Sequence, residues 1–167
     1  MKLHSSGIVD GIIADKYGSK GEKFTKSGMP SYSLPLDITD IPKGTKTFAL
    51  IMEDRDAIPV CGFSWIHWTA ANILKSSLKE NASVLDKNIV QGVNSYHSKV
   101  CDMTAKEATG YGGPDPPDKT HEYELHVYAL NTILDLKDGF YMNDLCKAMR
   151  GHVLTEAVLY GTYSPKE

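Results

Sequence analysis

The sequence predicts a mainly β, antiparallel single domain with few helices, and three observations carry that reading. Short runs with a two-residue period alternate with turn-rich segments at 17–21, 41–44 and 110–119, where Gly, Pro, Ser and Asp gather. Helical spacing, with apolar residues every three or four positions, is clear only in the C-terminal third. The 167 residues are 41% hydrophobic and 23% charged, ordinary values for one domain able to bury a core without disulfide or metal staples. No repeat, low-complexity tract or long charged block divides the chain, so residues 1–167 are expected to form one unit.

In chain order, residues 47–53 place Phe48, Leu50 and Met52 against Ala49 and Ile51. Apolar on both faces, this strand is expected to be central and covered on both sides. Residues 63–72, rich in aromatic and β-branched side chains, form the next long strand candidate. Residues 88–110 read as a long loop with a short helix around 104–108. From 122 to 130, Tyr123, Leu125, Val127 and Ala129 alternate with Glu122, Glu124, His126 and Tyr128, giving one buried and one partly wet face. From 139 to about 153, Tyr141, Leu145, Ala148, Met149 and His152 predict a helix. Residues 154–163 either continue it or form a last strand, with Gly161 and Pro165 favouring an early stop.

Composition excludes more than it assigns. The 18 Lys+Arg against 21 Asp+Glu give a formal net charge of -3, without the basic excess of a dedicated nucleic-acid binder, so no nucleic-acid partner is expected. No apolar run approaches the roughly 18 residues a transmembrane helix needs. The first residues, Met1-Lys2-Leu3-His4-Ser5-Ser6, lack the apolar segment of a signal peptide, and a cytoplasmic setting is expected. Cys61, Cys101 and Cys146 are odd in number, widely spaced and without a C-x-x-C pair, which predicts buried thiols. There is no phosphate-binding glycine loop, dinucleotide fingerprint or nucleophile elbow. The histidines of His121-Glu122-Tyr123-Glu124-Leu125-His126 are five apart, where a helical zinc site needs four. No cofactor or metal is expected.

Three clusters remain that could carry chemistry. Asp54-Arg55-Asp56-Ala57-Ile58-Pro59 follows the central strand; an extended backbone would project Asp54 and Asp56 to one side, either as turn formers or as a functional pair. Trp65-Ile66-His67-Trp68 puts Trp65 and His67 on one face of the aromatic strand, either as core residues or as an apolar wall beside a titratable ring. Gly110-Tyr111-Gly112-Gly113-Pro114-Asp115-Pro116-Pro117 is stiff and poor in backbone donors, and it leads into a strand with His121 and Tyr123 on one face. It reads as a plain rigid loop or as a pocket rim whose Gly amides stay accessible.

In this order the clusters resemble the phosphatidylethanolamine-binding protein family, and more narrowly its prokaryotic Raf-kinase-inhibitor-like branch. Ala71-Asn72-Ile73, Gln91-Gly92-Val93-Asn94-Ser95, Tyr128-Ala129-Leu130 and the tail Gly151-His152-Val153-Leu154-Thr155-Glu156-Ala157, closing with Gly161-Thr162-Tyr163, extend the match over roughly residues 5–163. The resemblance implies an antiparallel two-sheet sandwich with a few peripheral helices, one near the C-terminus. It also implies a small anion pocket for phosphate, acetate or a phosphorylated head group, formed by Asp54, Asp56, Trp65, His67, Gly113, Pro116, Pro117, His121 and Tyr123. Two imidazoles, the rim amides and the Tyr123 hydroxyl would donate to an anion, with a carboxylate fixing an imidazole tautomer. Arg55 departs from the family's usual Pro and would add a mobile cation. Asp115 replaces a small residue or Cys and would repel a phosphate if it points inward. The chain lacks the extra C-terminal helix that borders the pocket in animal members, which implies a more open site that a second subunit of a homodimer could partly close.

The expected function is therefore a non-enzymatic binding protein for a small anion or phosphorylated ligand, acting as a modulator of a kinase or protease whose identity the sequence leaves open. The alternative is a hydrolase that uses Asp54, His67 and His121 around a metal or an activated water.

Overall fold

Side-chain alternation in the strand at Thr47–Asp54 sorts the chain into two layers of core. In the computed structural model, which describes residues 1–167, the strands are β1 (Lys2–His4), β2 (Ile8–Val9), β3 (Ile12–Ile13), β4 (Leu36–Thr39), β5 (Thr47–Asp54), β6 (Trp65–Ile73), β7 (Ser77–Leu78), β8 (Val90–Gln91), β9 (His121–Leu130) and β10 (Val153–Tyr163). Three short helices are α1 (Ile58–Cys61), α2 (Ala82–Leu85) and α3 (Met142–Ala148). The larger sheet runs β2-β3-β10-β9-β5-β6-β8 and the smaller one β1-β4-β7. Neighbours are antiparallel except where β3 meets β10 through Ile12 and Thr162.

Every residue of β5 is buried, as a strand apolar on both faces requires. Phe48, Leu50 and Met52 enter the main core with Leu36 and Ile38 of β4, Leu78 of β7 and Trp68 of β6, so this core lies between the sheets. Ala49 and Ile51 point the other way, into a second core closed by Leu134, Phe140 and, from α3, Leu145. The sandwich is therefore covered on its outer face by α3 and the segment leading to it. Asn72, inside β6, has φ 57°, and its side chain donates to the Leu134 carbonyl (2.9 Å) and accepts from the Leu134 amide (2.8 Å), which ties that segment to the sheet.

Some expectations are corrected. The helix read over 139–153 stops at Ala148; Gly151, with φ 75°, turns the chain back, and residues from Val153 onward form the longest strand. The short helix around 104–108 reduces to a turn closed by the Ala108 amide on the Thr104 carbonyl (3.0 Å). Helix α1, four residues long, lies within the segment read as turn formers after the central strand, and α2, also four residues, in a stretch to which no element was assigned. The cysteines are not buried: Cys61 is half-buried at the end of α1, while Cys101 and Cys146 are exposed. Cys146 follows the inward Leu145 on α3, and one helical step turns it toward solvent.

Candidate functional site

Three strand ends converge at one end of the sandwich, because β6 and β9 both run antiparallel to β5 on its two sides. Asp54 thus stands opposite Trp65 on one side and Tyr123 on the other. The β5–β6 register slips here: Met52 faces Trp68 and Glu53 faces Ile66, so His67 has no opposite residue. The bulge lets His67 line the cavity while Trp68 enters the core, a reorientation that strict alternation would forbid.

The cavity enclosed by these ends has a volume of about 170 Å³ and is mostly apolar. Asp54, Trp65, His67, Pro116, Pro117, His121 and Tyr123 line it. Asp56 and Gly113 do not. Asp56 accepts the Glu122 amide (3.0 Å) and straps the turn after β5 to β9. Gly113 is a packing residue: its amide donates to the Pro30 carbonyl (2.8 Å), its carbonyl accepts the Tyr96 hydroxyl (3.0 Å), and a Cβ there would collide with the Tyr17 carbonyl. The other rim glycines are also committed, Gly110 to the Gly92 carbonyl (3.0 Å) and Gly112 to the His67 carbonyl (2.8 Å). The expectation that glycine amides face the cavity as donors is therefore corrected: the donors available are side chains.

Those side chains are strongly ordered. Asp54, 3% exposed, accepts the Ala57 amide on Oδ1 (3.1 Å) and His121 Nδ1–H on Oδ2 (2.8 Å). His121, 1% exposed, donates its other proton from Nε2 to Asp118 Oδ1 (2.9 Å). Burial opposes charge on His121, but the Asp54 and Asp118 carboxylates outweigh it and raise its pKa; a carboxylate on each ring nitrogen suits the doubly protonated ring, with both donors used. The same contact, led by the hydrogen bond from His121, lowers the pKa of Asp118.

His67 behaves in the opposite way. Burial lowers its pKa, against the carbonyls of Gly112 and Gly113 and the Asp54 charge. Its Nδ1 is 2.6 Å from the Gly112 carbonyl, which fixes the Nδ1–H tautomer and leaves Nε2 as an acceptor. Tyr123 packs edge-on against His67, with ring centres 5.1 Å apart. Burial drives the Tyr123 pKa far above its usual value, keeping the phenol protonated. Its hydroxyl is buried and has no hydrogen-bond partner.

Residues that sequence reasoning missed complete the wall. Tyr96 meets Trp65 edge-on at 5.5 Å, Cys61 and Val60 come from α1, and Cys101 and Val100 from the loop opposite. Burial, with Asp115 adding to it, raises the Cys101 pKa. Asp115 is exposed but does line the mouth. Asp115 was singled out in the sequence; of the missed residues, Asp118, which bonds His121 without lining the cavity, had a readable signal, since it precedes His121 by three residues.

Arg55 does not serve the cavity. It turns to the opposite sheet face, where its guanidinium bridges Glu53 (2.9 Å) and Glu124 (3.2 Å). Glu53, Glu124 and His126 bring potential metal-ligand atoms within 4.8 Å of one another, and no other group of three does so. The trio the hydrolase alternative needs, Asp54, His67 and His121, does not bring three ligand atoms within that distance: His121 is bonded to Asp54 and Asp118, and the His67 Nδ1 to the Gly112 carbonyl.

A family model described as Phosphatidylethanolamine-binding protein matches residues 9–164. An uncharacterized Bacillus subtilis protein, YxkA, is 48% identical over 86% of this chain and 89% of its own length. A crystal structure from Chlamydia trachomatis, described as a homologue of phosphatidylethanolamine-binding protein, superposes with a TM-score of 0.79 at 32% identity, covering 98% of this chain and 97% of that one. Escherichia coli YbcL, described as a member of the mammalian family, gives a TM-score of 0.77 at 25% identity, over 99% and 98% of the two chains.

Proposed function

Since the chain belongs to the phosphatidylethanolamine-binding protein family, we propose that it is a binding protein whose cavity receives one small anionic group, a phosphate or a phosphorylated head group. The observation that carries the proposal is the Tyr123 hydroxyl, buried in the cavity wall without a partner. An orphaned buried hydroxyl costs about 1–3 kcal/mol, which a bound acceptor would relieve. His67 Nε2, the neighbouring acceptor, suits an oxyanion that arrives with a proton of its own, such as a phosphate monoanion. The Trp65 wall excludes water and strengthens both bonds. A volume of about 170 Å³ is below the roughly 300–1,000 Å³ of ordinary small-molecule pockets, so a head group enters and any larger remainder stays outside.

No helix is long and apolar enough to cross a membrane. The ligand-bearing partner, a kinase or protease included, is then one that presents its group to the cavity mouth. Inorganic phosphate titrated to millimolar concentration, followed by NMR of the histidine rings, tests the reading. His67 and His121 signals should shift together, and Tyr123→Phe should weaken binding about five- to tenfold while leaving the unliganded protein equally or more stable. Histidine spectra unchanged by phosphate would sink the proposal.

A further inference from the structure

We propose that Asp118 is a built-in competitor at the edge of the site: it does not line the cavity, but its carboxylate takes the Nε2 proton of His121, which does, and a ligand gains that donor only by displacing it. The inference rests on the reading that the cavity receives small anions, and it adds how that site is kept closed to weak ones.

The two carboxylates on His121 are not equivalent. The Asp54 side chain is 5% exposed and is held a second time by the Ala57 amide. Asp118 is 50% exposed, and His121 is its only side-chain partner. Removing Asp54 would strand a buried cation, whereas Asp118 can leave by rotating its side chain into water. Its backbone need not follow, because Pro116 and Pro117 stiffen the segment before it and β9 begins at His121 just after it.

Position adds selectivity. A carboxylate tethered three residues from its partner competes at an effective concentration of at least about millimolar. A free carboxylate offers His121 nothing that Asp118 does not already provide, so acetate at lower concentrations is refused. A phosphate group carries more charge and more acceptor oxygens, and the cavity that His121 lines also holds the unpartnered Tyr123 hydroxyl as a second donor. The tethered carboxylate of Asp118 thus favours phosphorus oxyanions over carboxylates, and keeps His121 Nε2 paired while the cavity is empty.

Inorganic phosphate and acetate, titrated into the wild-type protein, Asp118→Ala and Asp115→Ala, test the inference. Asp115→Ala removes an equal charge from the mouth without freeing His121 Nε2. Asp118→Ala should bind phosphate roughly three- to tenfold tighter and narrow the preference over acetate; Asp115→Ala should change both by less. In the wild-type protein, the Asp118 carboxyl carbon signal should move with the same midpoint as the His67 ring. If phosphate shifts His67 but leaves the Asp118 carboxyl still, or if both variants gain equally, the displacement is refuted while the anion pocket stands. If phosphate shifts no histidine even in Asp118→Ala, the pocket reading fails and takes this inference with it.

Discussion

His67 and His121 lie in one cavity and are pushed in opposite directions from the ordinary value of 6.5. Burial lowers His67, so below about pH 6.5 the unfolded chain takes up a proton that the folded ring refuses, and stability falls. The two carboxylates raise His121, so its contribution is complete below about pH 6.5 and is lost as pH rises through the folded value. In the wild-type protein the effects oppose each other on acidification. His121→Gln leaves only the unfavourable one. Urea unfolding between about pH 5.5 and 8.5 should therefore show the variant losing stability more steeply toward acid than the wild type. Parallel curves would mean that His121 is not held charged by its neighbours. The other histidines are common to both proteins and cancel in the comparison.

At the scale of elements, Arg55 is worth more to the sheet than to the site. Glu53 and Glu124 sit directly opposite each other on β5 and β9, both with side chains little exposed. Like charges so placed repel, and the guanidinium lies across both. Arg55→Ala should destabilise the protein by about 0.5–1 kcal/mol, an effect that shrinks in about 1 M salt and leaves phosphate binding unchanged. Any loss of phosphate affinity would return Arg55 to the cavity.

The same elements show what a sequence can disclose. β9 was legible by alternation, because one face is buried more deeply than the other, and β5 by an unbroken apolar run, because both its faces are buried. The site residues were legible as a resemblance, but their arrangement was not. A one-residue bulge at His67 leaves no mark in composition, and the commitment of the rim amides depends on Pro30 and Gly92, remote in the chain. The segment after Ala148 was misread because its apolar residues satisfy helical spacing until pairing with β9 decides the matter. The thiols were misplaced because the average burial of cysteine says nothing about which side of a short helix or turn a given one takes.

Tyr163 shows how the molecule as a whole holds that site. It lies at the end of β10, opposite His121, and is 1% exposed. Its hydroxyl donates to the Asp15 carbonyl (2.9 Å) and accepts the Lys20 amide (2.8 Å), across separations of 148 and 143 residues. Lys20 also places its ammonium 4.6 Å from the ring centre, and a Cβ on Gly18 would strike that ring. From this loop the Ser19 amide donates to the Pro114 carbonyl (2.8 Å), which carries the restraint into the rim beside Asp115 and Pro116. One phenol at the far end of the chain thereby fixes an N-terminal loop, and the loop fixes the rim. Tyr163→Phe keeps the ring and removes both hydrogen bonds, leaving Lys20 N–H and Asp15 C=O to find water or remain unpaired. The expected cost is about 1–3 kcal/mol in urea unfolding. Amide exchange should quicken at Lys20 and Ser19 before it does in β5, and phosphate affinity should fall although no cavity residue has changed. If the variant is destabilised but binds phosphate with unaltered affinity, the loop stabilises the fold without governing the rim.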